Sequence, residues 1–405
     1  MDHPHLPSPI WTPTRAAGRA RLEAFLPHAG RSYERDRNVD RGPADRSNVS
    51  GLSPWLRRRM ITETEVIEAV LAHHPFEAAR TFIQEVFWRT YWKGWLEQRP
   101  DVLRRFDVER TQAAAQATAN PDLRARLDTA TAGQTGIKAF DAWVDELVTT
   151  GWLHNHARMW FASIWIFTLK LPWQLGAAFM FSHLLDADPA SNTLSWRWVA
   201  GLHTRGKHYL ARADNIRDNT LGRFNPAGQL DEQAVPLPAD GPPSALRPLP
   251  PAGRLSTHRV GLILHEDDLH PESLPLGAGI AAVALLTLPP MAHPEGPVAR
   301  FARGAGDDAL DRAARVFSVP AEPIAPTRIR EWARSIGVSE VAAAFAPVGR
   351  AAAALGQAGV ALEREGIRLV QLRRDFDQQA WPHATAGFFR FREQIPRLVA
   401  GLSGT

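Results

Sequence analysis

A proline-rich segment separates two parts of this chain that have different hydrophobic patterns. Residues 226–256 contain the runs Pro236–Pro243 and Pro248–Pro251, a composition typical of an extended linker. The chain has 405 residues, which is long for a single compact core. We therefore predict one domain over residues 1–225, a linker over 226–256 and a second domain over 257–405.

The part after the linker alternates short apolar runs with amphipathic helical patterns. This alternation predicts a parallel β-sheet with crossover helices, and therefore an α/β domain. No glycine-rich phosphate-binding fingerprint follows the first apolar run, so a dinucleotide site is not predicted there. The apolar runs are residues 260–264, 281–288, 341–345 and 367–372, and the helical patterns include 307–316, 328–336 and 350–365.

In the first part, two carboxylates, an amide and two indoles occur within thirteen residues that start at Asp186. Asp188 is followed by proline, a pair typical of a helix N-cap and first helical residue. Asn192 and Trp196 follow at i+4 intervals and would share one helix face. An amide one turn from an indole, beside two carboxylates, suits the edge of a large aromatic heterocycle. A capped helix with a buried tryptophan is the alternative.

Further polar clusters occur upstream at helical spacing. Trp152, Asn155, His156 and Met159 would share one face of a second helix, with Arg158 beside them. The sequence therefore predicts a second helix with the Asn155 amide and the rings of Trp152 and His156 on the same face.

Another helical pattern places Phe82, Glu85 and Arg89 on one face, with Trp88 adjacent. Glu85 and Arg89 could equally form an i,i+4 ion pair worth a few tenths of a kcal/mol. The hydroxyl-rich loop 47–54 precedes both clusters, and such loops offer hydrogen-bond donors to phosphate.

Together these segments resemble the FAD-binding helical domain of the DNA photolyase/cryptochrome family over roughly residues 15–225. The resemblance is carried by the hydroxyl-rich loop, a Trp-His-Asn-x-x-Arg-Met motif and an Asp-x-Asp pair. It implies an all-helical domain that binds FAD, with an ion pair between Arg158 and Asp186. The side chains that the resemblance implies for FAD binding are Ser50, Leu52, Ser53, Phe82, Glu85, Arg89, Trp152, Asn155, Arg158, Asp186, Asp188 and Asn192.

The part after the linker resembles the antenna domain of the same family, placed after the FAD domain instead of before it. Residues 260–274 resemble the family's opening strand, and 388–392 resemble the aromatic segment that leads out of that domain. The expected fold is therefore a photolyase-type helical domain followed by a Rossmann-like parallel α/β domain, in circularly permuted order. Binding of an antenna chromophore is left open.

The family resemblance implies light-driven repair of pyrimidine dimers in DNA, by electron transfer from reduced FAD to a flipped lesion. The side chains implied to line the lesion pocket are Trp88, His156, Met159 and Trp198. Those implied to act in catalysis are Glu85, Asn155, Trp196 and Trp173. The alternative is a cryptochrome-like blue-light photosensor, in which flavin photoreduction signals to a partner.

Two positions depart from the family pattern. His156 stands where enzymes for cyclobutane dimers commonly have arginine, and a histidine there could titrate near neutral pH. Trp196 and Trp173 match the first two members of the family's tryptophan electron relay, but residues 111–119, where the third is expected, contain neither Trp nor Tyr. We therefore expect the relay to be interrupted at its outer end, unless Trp165 or another indole replaces it.

Arginines are concentrated around the hydroxyl-rich loop, although the net charge is only +4. Such a cluster is either a solvated face or a groove for DNA phosphates, where fixed cations gain affinity by releasing counterions. The resemblance makes DNA with ultraviolet lesions the expected partner. The arginines are Arg57, Arg58 and Arg59 after the loop, and Arg31, Arg35, Arg37, Arg41 and Arg46 before it.

Composition excludes several other classes of protein. The absence of cysteine excludes disulfides, an iron–sulfur cluster and thiolate metal sites, and the histidine spacing predicts no metal site. The apolar run 160–169 is too short to span a bilayer, and the polar, proline-broken start of the chain does not match a secretion signal. We therefore expect a cytoplasmic monomer.

Overall fold

The computed structural model describes residues 11–402, except 205, 240, 242–243 and 291–293. The start of the chain, on which the prediction about a secretion signal rests, lies outside the described residues. Within them, the first part is helical, and residues 220–258 contain neither helix nor strand. The helices of the first part are α1 (Arg15–Phe25), α2 (Arg31–Asp36), α3 (Ser53–Arg57), α4 (Glu63–His73), α5 (Phe76–Glu97), α6 (Asp101–Ala119), α7 (Pro121–Thr131), α8 (Lys138–Thr150), α9 (Asn155–Ser163), α10 (Trp173–His183), α11 (Pro189–Ala200) and α12 (Ala213–Asn219).

The second part is a five-stranded sheet with helices between its strands. The strand order is β3-β2-β1-β4-β5, and all neighbouring strands are parallel, which confirms the predicted parallel sheet. Each of the four apolar runs overlaps one strand. The elements are β1 (Arg259–Leu264), β2 (Gly279–Leu286), α13 (Pro297–Phe317), β3 (Ala321–Ile324), α14 (Ile329–Ser335), β4 (Glu340–Ala344), α15 (Arg350–Glu363), β5 (Arg368–Leu372), α16 (Asp375–Ala380), α17 (Phe388–Arg392) and α18 (Ile395–Leu402).

One strand of this sheet, β3, has no counterpart among the predicted apolar runs. It is four residues long, contains Pro323 and exposes its two middle residues. Proline cannot donate a ladder hydrogen bond, so it is tolerated at a sheet edge, which is where β3 lies. Because an exposed edge strand of this kind has few apolar residues, its sequence does not show the apolar run from which the other strands were predicted.

An aromatic cluster forms the core of the helical part. Trp143, Trp160 and Trp165 are fully buried there. Trp160 stacks on Trp143 with ring centroids 5.4 Å apart. Helix α9 continues into a π-helical turn at Ile164–Thr168, and this apolar stretch is buried. Among the described residues, no helix has both the length and the apolar character needed to cross a membrane.

The long helix α5 connects the helical part to the α/β part. It packs against α2, α4 and α11 on the helical side and against α16 and α17 near the end of the chain. Phe87 of α5 lies 5.2 Å from Phe376 and 6.1 Å from Phe391, measured between ring centroids. The two parts therefore share one hydrophobic core along α5.

Gly94 is where α5 approaches the C-terminal segment most tightly, and we predict that Gly94→Ala destabilises the protein. A β-carbon there would lie 2.8 Å from Cγ and 2.9 Å from Cα of the fully buried Trp381. Overpacking costs about 1–3 kcal/mol, which outweighs the roughly 1 kcal/mol that alanine gains over glycine in a helix. Chemical denaturation should show a lower free energy of unfolding.

Gly356 of α15 is the matched control, because a β-carbon there would meet nothing within 4 Å. Gly356→Ala should raise the free energy of unfolding by about 0.5–1 kcal/mol from helix propensity alone. Equal effects of the two substitutions would contradict the tight contact between α5 and Trp381.

Candidate functional site

Asp186 is a buried carboxylate held by two guanidinium groups. Its Oδ2 lies 2.8 Å from Arg89 Nη2 and 3.0 Å from Arg158 Nη2. The Asp186 side chain is 1% exposed, whereas Arg89 and Arg158 are 16% and 21% exposed. The pairing of Arg158 with Asp186, which the family resemblance implied, is present. Arg89 is a second partner that the resemblance did not supply.

Opposing effects set the charge of this carboxylate. Burial alone would raise the pKa of Asp186, but Arg158, Arg89 and the Ser53 hydroxyl favour the anion and hold that pKa at about 2. Asp186 is therefore ionised at neutral pH. Two partly exposed cations around a buried anion make a site that accepts a polar ligand without leaving the carboxylate unpaired.

Asp188 fixes the turn that carries Asp186. It is the N-cap of α11, where its Oδ1 accepts a hydrogen bond of 2.9 Å from the Ser191 amide, with Pro189 as the first helical residue. This confirms the predicted cap. Lys93 Nζ lies 3.7 Å from Asp188 Oδ2, and this cation, together with Arg57 and Arg89, lowers the pKa of Asp188 against the opposing effect of burial.

Asn192 and Trp196 lie on α11 one turn apart, both buried. The Asn192 side-chain amide donates a hydrogen bond of 2.9 Å to the Ala177 carbonyl oxygen, which fixes the orientation of the amide. Trp196 packs against Phe161 and Trp165. Helix α11 therefore fixes the Asn192 amide and the Trp196 indole in position, and both lie shortly after the turn that carries Asp186.

Helix α9 begins at Asn155, so Trp152 lies before the helix and not on its face, contrary to the predicted second helix. His154 is the N-cap: its Nδ1 accepts a hydrogen bond from the His156 amide, an arrangement that helical spacing does not reveal. Burial lowers the pKa of His154 to about 4, so the ring is neutral and able to accept. Asn155 is exposed, and Met159 is half-buried.

The indole of Trp152 contacts two groups that are not among the predicted site residues. Trp11 lies 6.1 Å away, measured between ring centroids, and the Arg46 guanidinium lies 4.3 Å from the Trp152 ring. Arg46 is itself held by Glu146 at 2.7 Å. A cation over an indole is favourable, and here it fixes the ring before the start of α9.

Glu85 and Arg89 do not pair with each other, although their i,i+4 spacing allowed it. Glu85 Oε1 lies 2.5 Å from Arg37 Nη1 of the segment after α2, and Arg89 turns to Asp186. Burial raises the pKa of Glu85 above its ordinary value, although Arg37 opposes this effect. Arg37 was predicted to lie either on a solvated face or in a DNA-binding groove, and sequence spacing does not show that it pairs with Glu85.

The hydroxyl-rich loop runs into α3, which begins at Ser53 with the buried Leu52 as N-cap. Arg21 Nε donates a hydrogen bond of 2.6 Å to the Ser50 carbonyl oxygen. Gly51 adopts φ +64°, a left-handed conformation that glycine adopts without strain. The loop is thus held from outside by Arg21, a residue that the motif does not include.

The residues predicted to line a lesion pocket have different surroundings. Trp88 is half-buried, and one face of its ring stacks on Phe388 with centroids 3.6 Å apart. Trp198 is also half-buried and stacks on Tyr209 at 5.8 Å. Both indoles are positioned by another ring, and each keeps some exposed surface.

Both ring nitrogens of His156 lie within hydrogen-bond distance of other protein groups, so the side chain is not free to contact a lesion. One ring nitrogen lies 3.0 Å from the Asn38 carbonyl oxygen and the other 3.2 Å from the Tyr209 hydroxyl, and the ring stacks on Trp160. Burial lowers the pKa of His156 below its ordinary value, which favours the neutral ring. The side chain is occupied within the protein because α9 turns it inward.

Phe82 lies in the hydrophobic core of α5. Its ring centroid is 5.3 Å from that of Phe25 and 5.1 Å from that of Tyr33. The structure therefore places it with apolar partners, one helical turn before Glu85, and does not bring it to the Asp186 group.

The predicted electron relay has a different arrangement of indoles from the expected one. The ring of Trp165 lies 6.4 Å from that of Trp196, whereas the aromatic partner of Trp173 is Phe106 at 5.3 Å. Gly176 separates Trp196 from Trp165, and a β-carbon there would lie 2.5 Å from Trp196 Cη2 and 2.7 Å from Trp165 Nε1. Glycine at this position lets the two indoles approach.

The expectation that Arg57, Arg58 and Arg59 form a solvated or DNA-binding face is wrong. All three are buried and face acidic residues that follow β1 and lie in α16. A sequence run of arginines predicts exposure on average, but these three are buried because acidic residues distant in the sequence, Glu266–Asp268 among them, pair with them. Arg31 and Arg35 do lie on the surface.

Two buried indole nitrogens in these segments, Trp152 Nε1 and Trp196 Nε1, have no hydrogen-bond partner among the described residues. Buried polar groups are usually satisfied, and exceptions mark places where a ligand or water binds. With the cations at Asp186, they suit a ligand that has both an anionic part and a heteroaromatic ring. The residues present therefore fit a flavin dinucleotide. In the described part of the chain, no cluster of His, Asp and Glu resembles a metal site.

Comparison with known proteins gives one family. The family profile described as the FAD binding domain of DNA photolyase matches residues 82–246. The deoxyribodipyrimidine photo-lyase of Vibrio cholerae is 26% identical over 241 residues, which cover 58% of this chain and 49% of that protein. The enzyme of the same name from Agrobacterium fabrum is 31% identical over 197 residues, covering 48% and 40%.

A crystal structure of a bacterial class III photolyase from Agrobacterium tumefaciens is 28% identical and gives a TM-score of 0.44, covering 52% of this chain and 43% of that one. This chain spans about half the length of the curated relatives that it matches.

Proposed function

We propose, because this chain belongs to the DNA photolyase/cryptochrome family, that it is an FAD-dependent enzyme that repairs pyrimidine dimers in DNA with light. The observation that carries the proposal is the buried Asp186 with Arg158 and Arg89 at the start of α11. The buried indole nitrogen Trp152 Nε1 has no hydrogen-bond partner among the described residues, which is costly unless a ligand or water supplies one.

The residues that would hold FAD come from α3, α5, α9 and α11. Ser50, Leu52 and Ser53 would provide hydroxyl and backbone donors for the diphosphate. Asp186, Asp188 and their cations would provide fixed charges around the rest of the cofactor. When bound in its reduced form, FAD supplies the electron for repair after absorbing light. The protein contributes binding, orientation and exclusion of water.

On the DNA side, Trp88 and Trp198 would stack on the flipped bases. Flipping costs a few kcal/mol, and stacking on aromatic rings returns about 1–3 kcal/mol per base. Phe388 and Tyr209 hold these indoles in place, which reduces the conformational freedom lost on binding. Met159 would add an apolar contact at the same pocket.

Glu85 and Asn155 would polarise and position the lesion. Asn155 is exposed at the first position of α9, and Glu85 is partly exposed beside Arg37. Burial raises the pKa of Glu85 above its ordinary value, although Arg37 opposes this effect, and Glu85 is the one of the two that can exchange a proton with the lesion. His156, turned inward, is left out of the proposed pocket.

We also keep the proposed division into domains 1–225 and 257–405 joined by the linker 226–256, in permuted order relative to the family. The supporting observation is that the parallel sheet follows the helices along the chain, with a stretch free of helix and strand between them in the described residues. Residues 388–392, which resemble the segment that leads out of the antenna domain, return to α5 through the stack of Phe388 on Trp88.

A repair assay tests the function. Purified protein with chemically reduced FAD should restore DNA that contains one lesion type, cyclobutane or (6-4) dimers offered separately, under blue or near-ultraviolet light and not in the dark. Glu85→Gln should retain FAD and lower the repair rate about 100-fold or more, because a positioned acid contributes on the order of 10²–10⁴ in rate. The measured quantity is the fraction of lesion-containing DNA that is repaired per dose of light.

Glu77→Gln is the matched control, since Glu77 is an exposed acid on the same helix, paired with Arg80 on the surface. It should repair like the unsubstituted protein. No turnover of either lesion by fully reduced protein would exclude the enzyme and favour the photosensor.

The second candidate, a blue-light photosensor, is favoured by the burial of His156 and by the cover that Phe388 provides on Trp88. Both reduce the polar and stacking surface that a lesion would contact. A sensor would show flavin photoreduction with a change in protein conformation, detectable by limited proteolysis in light and dark, and would leave both lesions intact.

A further inference from the structure

The α/β part has a crevice of the kind that binds ligands in doubly wound folds. In such folds, ligands lie outside the carboxyl ends of the strands where the strand order reverses. Here that point lies between β1 and β4, the central neighbours of the sheet. Its walls are the segment 265–268 after β1 and the segment 345–349 before α15.

Arginines of the helical part fill this crevice. Arg57 Nη1 lies 2.5 Å from Asp267 Oδ1, and Arg58 Nη1 lies 3.8 Å from Glu266 Oε2. The Arg58 carbonyl oxygen accepts a hydrogen bond of 2.8 Å from the Leu269 amide. Both guanidinium groups are buried, so they occupy the volume next to the strand ends.

The positions that would hold an anionic ligand are also taken by carboxylates of the protein. Glu266 pairs with Arg350, the first residue of α15, at 2.5 Å. Glu97 of α5 accepts a hydrogen bond from the Val348 amide, just before that helix. Pro189 of α11 lies against Gly349, 3.4 Å from where a β-carbon would be. A helix N-terminus that normally attracts an external anion is thus satisfied internally.

We propose that Arg57 and Arg58 permanently fill the ligand crevice of the α/β domain, which binds no antenna chromophore there and instead acts as a clamp on the turn that holds Asp186. An antenna chromophore, which the family resemblance left open, does not fit this crevice. A ligand could enter only if the buried Arg57 left Asp267 without its cation, which is strongly unfavourable.

Arg57 connects the crevice to the turn. Its Nε donates a hydrogen bond of 2.5 Å to the carbonyl oxygen of Ala187, the residue between the two site aspartates, while its Nη1 is held by Asp267. The side chain is fixed at both ends and is too buried to adopt other positions. Arg57 is therefore a positioning residue: it acts on the cofactor site through the backbone of Ala187. This step rests on the proposed FAD site.

Asp267→Asn tests the clamp, because it removes the charge that holds Arg57 and keeps the side-chain shape. The dissociation constant for FAD, measured by flavin fluorescence, should rise about tenfold, a size common for coupling between neighbouring sites. Amide hydrogen exchange of residues 185–192 should become faster, in protein with and without FAD. If Asp267→Asn protein does not fold, Glu266→Gln replaces it as the test. This substitution leaves Asp267 in place and should produce the same two changes at smaller size.

Glu340→Gln is the matched control. Glu340 is a buried carboxylate of β4 that pairs with Arg368 and accepts hydrogen bonds from Ser256 and Thr257, away from the crevice. It should lower the melting temperature without changing the affinity for FAD or the exchange of residues 185–192. Equal exchange of that segment in the Asp267→Asn and Glu340→Gln variants would overturn the clamp.

Chromophore content tests the other half of the proposal. The unsubstituted protein, saturated with free FAD and FMN and then denatured, should release one flavin per chain. A second bound equivalent in the unsubstituted protein would overturn the filled crevice. Failure of the proposed repair function would give a different result. Protein that binds one FAD per chain but repairs no DNA would contradict the repair function and leave the clamp proposal standing.

Discussion

Asp186→Ala is expected to yield protein that purifies without FAD. The substitution leaves Arg158 and Arg89 facing each other without the anion that both contact. Removing one partner of a buried ion pair costs about 3–5 kcal/mol, and the lower end applies because the arginines are partly exposed. At 1.4 kcal/mol for each tenfold change, about 3 kcal/mol corresponds to a loss of affinity of roughly 100-fold. The ratio of flavin absorbance to protein absorbance in the purified variant measures this loss.

Two comparisons separate the cofactor site from general stability. Asp186→Asn keeps the shape and removes the charge, so it should lose FAD nearly as completely. Asp214→Ala removes an exposed carboxylate paired with Arg212 and should change neither flavin content nor melting temperature. Full flavin content in Asp186→Ala protein would show that the cofactor, if bound, is held elsewhere.

The same ion pairs predict how FAD binding depends on pH. Because the pKa of Asp186 is lowered in the folded protein, to about 2, its contribution is complete above the ordinary aspartate pKa near 4. The contribution is lost as the pH falls from about 4 towards 2. Acid titration of the unsubstituted protein should release flavin in that window, and Asp186→Asn protein reconstituted with excess FAD should lack the transition.

Local signals were sufficient for the turn at Asp188. The Asp-Pro pair predicted the N-cap of α11 correctly, because capping depends on residues within one helical turn. The same local reasoning placed Trp152 on a helix that begins only at Asn155. That prediction was wrong because His154 caps the helix with a ring nitrogen, a role that sequence spacing does not show.

Contacts between distant segments could not be predicted in this way. Arg57 pairs with Asp267, which is 210 residues away, so an arginine run that suggests a surface is buried instead. Arg37, Arg46 and Arg21 support the site from outside its motifs for the same reason. Patterns that depend on helical or strand periodicity were recovered, and ion pairs that depend on how the two parts pack were not.

Trp196→Phe should abolish light-driven reduction of bound oxidised FAD, and the protein should still bind FAD, without the hydrogen bond that Trp196 Nε1 would donate. Phenylalanine preserves an apolar ring against Phe161 and Trp165, so the packing of α11 changes little. The substitution removes the indole that the resemblance places next to the cofactor, and an aromatic hydrocarbon ring is a much poorer electron donor. Photoreduction followed by flavin absorbance, with an external reductant present, measures the loss.

The identity of the second donor follows from a pair of further variants. Trp165 lies 6.4 Å from Trp196, whereas Trp173 packs on Phe106, so Trp165→Phe should slow photoreduction more than Trp173→Phe does. The reverse order would restore the relay that the family resemblance implied. Repair that starts from chemically reduced FAD should survive all three substitutions, because transfer from flavin to lesion does not pass through these indoles. Photoreduction that persists in Trp196→Phe protein would place the nearest donor outside α11.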